Sequence, residues 1–168
     1  MISSKKIKVT LLWALTIVTL SVQGQGLVIS VNGIPAFPPI TITEAGEDFN
    51  GTYNSVSGNQ ITVATHSFMH NLIGNFMWKV TVHKSDNNWD SSLGLETIRT
   101  GTGTRGSIFF NSITGGTNYQ TITNLPADFF WGTGRWYDIP VAYRLNGVSV
   151  LLPADQYETT VIFTITDM

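Results

Sequence analysis

Phe76-Met77-Trp78-Lys79-Val80-Thr81-Val82-His83 is the stretch that decides the fold class. Phe76, Trp78, Val80 and Val82 fall on alternate positions, with Met77, Lys79, Thr81 and His83 between them. Successive side chains of a strand point to opposite faces, so this stretch presents one apolar and one mixed face and reads as a central core strand. No stretch elsewhere shows a competing amphipathic helix.

The same period of two recurs outward from this strand. In Thr159-Thr160-Val161-Ile162-Phe163-Thr164-Ile165-Thr166, the residues Val161, Phe163 and Ile165 share one face, and Thr160, Ile162, Thr164 and Thr166 share the other. Further strands are expected over residues 27–31, 40–43, 60–65, 95–100, 107–110, 119–123, 139–145 and 149–151. Turn-forming clusters separate them, which is the pattern of an all-β, immunoglobulin-like antiparallel β-sandwich. Asn146-Gly147 and Gly115-Gly116 tolerate positive φ and are expected to close hairpins. Asn32-Gly33-Ile34-Pro35-Ala36-Phe37-Pro38-Pro39 contains three prolines, which cannot sit in a central ladder, and reads as a linker behind an N-terminal edge strand.

The beginning of the chain has a different character. Lys5, Lys6 and Lys8 precede an uncharged run over residues 9–22, which leads into Val22-Gln23-Gly24. A basic segment, an apolar segment and small residues before the cut are the three parts of a signal peptide, with cleavage expected after Gly24. The run is shorter than the roughly 20 apolar residues that cross a bilayer, so no transmembrane span is expected once it is removed. The resulting organisation is residues 1–24 as signal peptide, 25–39 as edge strand and linker, and 40–168 as the sandwich domain. The expected location is outside the cytoplasm: the periplasm, the cell surface or the medium.

Composition then excludes whole classes. With the three leader lysines gone, six of the nine Lys and Arg remain against eleven Asp and Glu, a formal net charge of minus 5. The six are scattered, and no basic cluster remains to neutralise several phosphates, so nucleic acid is not an expected partner. There is no cysteine, which excludes a disulfide framework, a thiolate metal site and a lipidated cysteine after the leader. Charged residues make up 12% of the chain, about half the usual share of roughly 25%.

Candidate sites are few. Phe129-Phe130-Trp131-Gly132-Thr133-Gly134-Arg135-Trp136-Tyr137 concentrates aromatics around a flexible Gly-Thr-Gly and is expected to precede a strand rather than lie inside one. Its two readings are a core plug at one end of the sandwich and an exposed platform in which Trp131, Arg135, Trp136 and Tyr137 stack on sugar rings or anchor an interface. Asp86, Asn88 and Asp90 place oxygen side chains at alternate positions, like the opening of a calcium loop. Ser91 and Thr97 stand where that loop needs glycine and a bidentate glutamate, so a plain polar turn is the better reading and a weak calcium site at Asp86, Asn88 and Asp90 the alternative. His66, His70 and His83 lack the intervening glutamate of a helical zinc-protease motif and read as surface residues. Glu44, Glu47 and Asp48 read as an acidic turn. No nucleophile elbow, phosphate-binding loop or dinucleotide fingerprint is present, so neither an enzyme nor a cofactor is expected. Leu27, Ile29 and Val31 alternate ahead of the prolines and offer a strand that either pairs within its own chain or completes a neighbouring subunit's sheet.

The closing residues 151–166, in which Tyr157 leads into the final strand, resemble the end of secreted pilin-like β-sandwich modules of the spore coat protein U and fimbrial group. Trp78-Lys79-Val80 carries a second resemblance, to the WxL surface domain. The resemblance implies an exported module used for surface structure or adhesion, with other envelope subunits, surface glycans or further copies of itself as partners. The chain lacks the cysteine pair common in pilins. A carbohydrate-binding module using the aromatic segment is the alternative.

Overall fold

The computed structural model describes residues 18–20, 26–39, 51–153 and 155–168. The expected leader, apart from residues 18–20, lies outside the described residues, as do the expected strand over 40–43 and the acidic turn of Glu44, Glu47 and Asp48.

The protein is all-β, built from two sheets. The first contains, in spatial order, β1 (Val18–Leu20), β12 (Glu158–Asp167), β5 (Met77–Asn88), β10 (Ala127–Thr133) and β8 (Ser112–Gly115). The second runs β2 (Leu27–Asn32), β4 (Asn59–Thr65), β11 (Trp136–Asn146), β6 (Gly94–Arg99) and β9 (Gln120–Thr121). Two short strands, β3 (Thr52–Asn54) and β7 (Thr104–Arg105), also pair with β11. Neighbours are antiparallel except β1, which lies parallel to β12. A single short helix, α1 (Phe68–Ile73), stands among the described residues.

The alternation behind the fold-class expectation is visible in the burial. Phe76, Trp78, Val80 and Val82 are buried, while Met77, Lys79, Thr81 and His83 are not. On β12 the buried set is Val161, Phe163 and Ile165, and the inner face of the second sheet supplies Ile61, Val63, Ile139, Val141 and Tyr143. Burial of each such side chain contributes about 1.5–3 kcal/mol against the entropy of ordering the chain. A smaller cluster of Leu93, Leu145, Val148 and Tyr157 closes one end, where the Tyr157 hydroxyl donates to the Pro153 carbonyl at 2.8 Å just ahead of β12.

Several expectations change. Residues 107–110 and 149–151 are loop and turn rather than strand. Gly147, with φ 80°, ends β11 by donating its N–H to the Gly51 carbonyl and opens no hairpin. Gly115 and Gly116, also at positive φ, carry the chain from β8 in one sheet toward β9 in the other. Buried Arg99 secures that crossing, its Nε donating to the Gly115 carbonyl at 2.9 Å and Nη1 to the Gly101 carbonyl at 2.8 Å. Hydrophobic periodicity finds strands but carries no information on which sheet receives the next one.

Candidate functional site

The aromatic segment is strand, not loop: it comprises most of β10, a crossing at residues 134–135 and the start of β11. The register of β10 against β5 shifts between Asp128 and Phe130, a bulge that turns the adjacent Phe129 and Phe130 both inward. Phe130 meets Trp78 edge-on at 5.8 Å, and the Trp78 indole N–H donates to the Gly134 carbonyl at 2.8 Å. Trp131, 41% exposed, lies on the outer face of the first sheet beside Lys79 and Thr114. Trp136 is only 5% exposed, and its indole N–H is spent on the Thr133 carbonyl. Arg135 places its guanidinium 4.5 Å over the Tyr137 ring. The four residues expected to form one platform are thus divided between an outer sheet face, the core and a separate stack, because strands alternate their side chains where a loop would gather them.

A different surface emerges at the same end of the sandwich. Ser67 caps α1, its hydroxyl accepting from the His70 N–H, and Gly74 ends the helix at φ 83°. Residues 106–112 then lie against the helix C-terminus, where Ile108 N–H donates to the Leu72 carbonyl at 2.8 Å and Phe110 N–H to that of Ile73 at 3.1 Å. These bonds satisfy carbonyls that a helix end leaves free. Ser107 Oγ donates to the Asn71 carbonyl at 2.8 Å and accepts from the Arg135 N–H at 2.7 Å, joining helix, loop and sheet crossing at one atom. A Cβ on Gly74 would stand 2.3 Å from the Phe110 carbonyl oxygen, so only glycine admits this approach.

So held, Ile108, Phe109 and Phe110 cannot turn into the core. Phe109 is 71% exposed, and Phe68, Met69 and Met77 are exposed with it. A groove of about 520 Å³ runs between this loop and the start of β5, lined by Gly74, Asn75, Phe76, Met77, Phe109, Phe110, Asn111, Ser112 and Thr133. The expected strand over 107–110 concealed it. Its sequence signal is three consecutive large apolar residues bounded by Gly106-Ser107 and Asn111-Ser112, which no half-buried strand would alternate.

The oxygen-bearing residues Asp86 and Asn88 lie within β5, where a polar turn was expected, and Asp90 follows it. Asp86 pairs with Lys84 at 2.6 Å and accepts from Thr159 Oγ1 at 2.9 Å, Asn88 donates to the Gln156 carbonyl at 2.6 Å, and Asp90 accepts from the Ser92 N–H and hydroxyl. His66 and His70 lie around α1 and His83 on the outer side of β5. Among the described residues no three His, Cys, Asp or Glu come together to hold a metal. The strand with Leu27, Ile29 and Val31 is β2, paired antiparallel with β4 of its own chain at the edge of the second sheet. Across the sandwich it packs on β12. β12 pairs with β5 along its length, but on its other side, among the described residues, only Ile162, Phe163 and Thr164 have partners, namely Val18, Thr19 and Leu20. Among the described residues no helix is long and apolar enough to cross a membrane.

No known protein family, no curated protein and no solved structure matches this chain.

Proposed function

We propose that the protein is an exported, non-catalytic structural or adhesive module of the cell envelope, an immunoglobulin-like sandwich that assembles through the edge of β12. The observation that carries this reading is the neighbour of that edge. Val18, Thr19 and Leu20 belong to the segment read as a leader, so its cleavage after Gly24 removes the strand that covers Ile162–Thr164. Between Thr159 and Thr166 the vacated edge has no charge, no proline and no bulge, the features by which edge strands usually avoid pairing with other chains. A strand of a neighbouring copy takes the place of residues 18–20 and gains main-chain hydrogen bonds there. Leu27, Ile29 and Val31 remain on β4, since donating them would strip the protein's own second sheet.

The test begins with the exported protein, whose N-terminus is read by mass spectrometry and whose size is followed by light scattering over a concentration series. A chain beginning at Gln25 that forms dimers or larger species, and becomes monomeric with Thr160→Lys and Thr164→Lys together, supports the reading. A monomer at every concentration, or retention of residues 1–24, refutes it.

The carbohydrate-binding alternative loses the platform on which it was built, since Trp136 belongs to the core.

A further inference from the structure

We propose that the groove between the start of β5 and residues 106–112 binds a neutral saccharide. This stands apart from assembly at β12, because a chain that stays monomeric keeps the groove.

Size and chemistry both select the ligand class. A volume of about 520 Å³ suits a sugar unit or two and lies within the roughly 300–1,000 Å³ of small-molecule sites. No lining side chain carries a charge, so a phosphorylated or carboxylated ligand would find no counter-charge there. Met77, Phe109 and Phe110 supply apolar walls, while Asn75, Asn111 and Ser112 supply amides and a hydroxyl. The Ser112 and Thr133 hydroxyls pair with each other at 3.0 Å, but a hydrocarbon chain would cover the Asn75 amide without pairing it, at a cost in free energy. A sugar ring has both characters: C–H faces that pack on aromatic rings, and hydroxyls that donate and accept.

Asn111 sharpens the choice. Its Nδ2 donates to the Ser107 carbonyl at 2.9 Å, but its enclosed Oδ1 has no hydrogen-bond partner. That acceptor is enclosed beside Gly134, and a ligand hydroxyl reaches it when the amide turns toward the groove and releases the Ser107 carbonyl. Apart from that amide, the walls are set before any ligand arrives. The loop is bonded to the α1 carbonyls and clamped at Ser107, and a Cβ on Gly134 would stand 2.2 Å from the Phe110 carbonyl oxygen. A pre-formed wall spares the ligand the entropy of ordering a loop.

Binding of maltohexaose, cellohexaose and xylohexaose to the exported protein, followed by calorimetry, tests the proposal, with trigalacturonate as the anionic control. Glucose, mannose and xylose run in parallel distinguish a free sugar from a polymer segment. At least one neutral sugar binds, the control does not, and Phe109→Ala and Asn111→Ala each weaken binding tenfold or more. Phe109 is mostly exposed, so its variant keeps the circular dichroism and melting temperature of the parent. The proposal is overturned if no neutral sugar binds at millimolar concentration, or if binding survives both substitutions. It is equally overturned if Phe109→Ala instead abolishes pelleting with phosphatidylcholine and phosphatidylglycerol vesicles while no sugar binds, which would make the apolar loop a membrane contact.

Discussion

The Tyr143 hydroxyl donates to Asn59 Oδ1 at 2.5 Å in the middle of the second sheet, joining β11 to β4 through two side chains that are almost wholly buried. Asn59 passes the connection on, its Nδ2 donating to the Gly33 carbonyl at 2.6 Å where β2 ends. Burial drives the Tyr143 phenol far above its ordinary range, so it remains a donor at every pH the protein meets. Tyr143→Phe preserves the ring packing but leaves Asn59 Oδ1 buried without a donor. The expected loss is about 1–3 kcal/mol, read as a lower urea midpoint at unchanged slope.

Trp78 fills the centre of the first sheet, and Gly132 exists to make room for it. A Cβ on Gly132 would stand 2.8 Å from the indole and 2.3 Å from the Ser112 carbonyl oxygen. Trp78→Ala is expected to cost about 3–5 kcal/mol through the cavity and the stranded Gly134 carbonyl. Gly132→Ala is expected to unpair β8 from β10, visible as rapid hydrogen exchange confined to residues 112–115 and 130–133.

Glu96 gives stability a dependence on acid. Hydrogen bonding from Arg144 holds its carboxyl below the ordinary 4.5, with a second bond from Asn146 at 2.6 Å. A group whose pKa is lower in the folded state stabilises above its unfolded value, and that contribution disappears as pH falls through the folded value. The gap in melting temperature between the parent and Glu96→Gln is therefore expected to be widest at pH 7 and to shrink progressively below about pH 4.5. A gap that stays constant down to pH 3 would dismiss the carboxylate as its source.

Ser107 holds the candidate site together. Ser107→Ala removes the bond to the Asn71 carbonyl and leaves the Arg135 N–H without its acceptor. A loss of about 1–3 kcal/mol follows, with exchange broadening of amide signals confined to residues 68–75 and 106–112. Ser107→Thr, which keeps the oxygen, is expected to restore most of the order.

The two parts of the molecule differ in how far the sequence discloses them. The core faces of β5 and β12 were readable residue by residue, because a pleated strand forces every second side chain to the same side and Phe76 to Val82 obey that period without a break. The groove was not. Ile108-Phe109-Phe110 has the composition of a strand, but the N–H groups of Ile108 and Phe110 are committed to α1 carbonyls, a pairing between distant residues that no local pattern announces. The aromatic segment failed for a related reason: a bulge at Asp128 and a crossing at Gly134 send Phe129, Phe130 and Trp136 into the core and leave Trp131 on the outer face of the first sheet.

Alternation and turn residues by themselves determined that this chain is all-β and which faces of its main strands are buried, since both follow from geometry within a few residues. Tertiary structure alone decided which sheet each strand joined, which edge residues 18–20 cover, and that three large apolar side chains stay in solvent beside a groove. Those outcomes depend on hydrogen bonds and close approaches between residues far apart in the chain, where the local period of two has nothing to say.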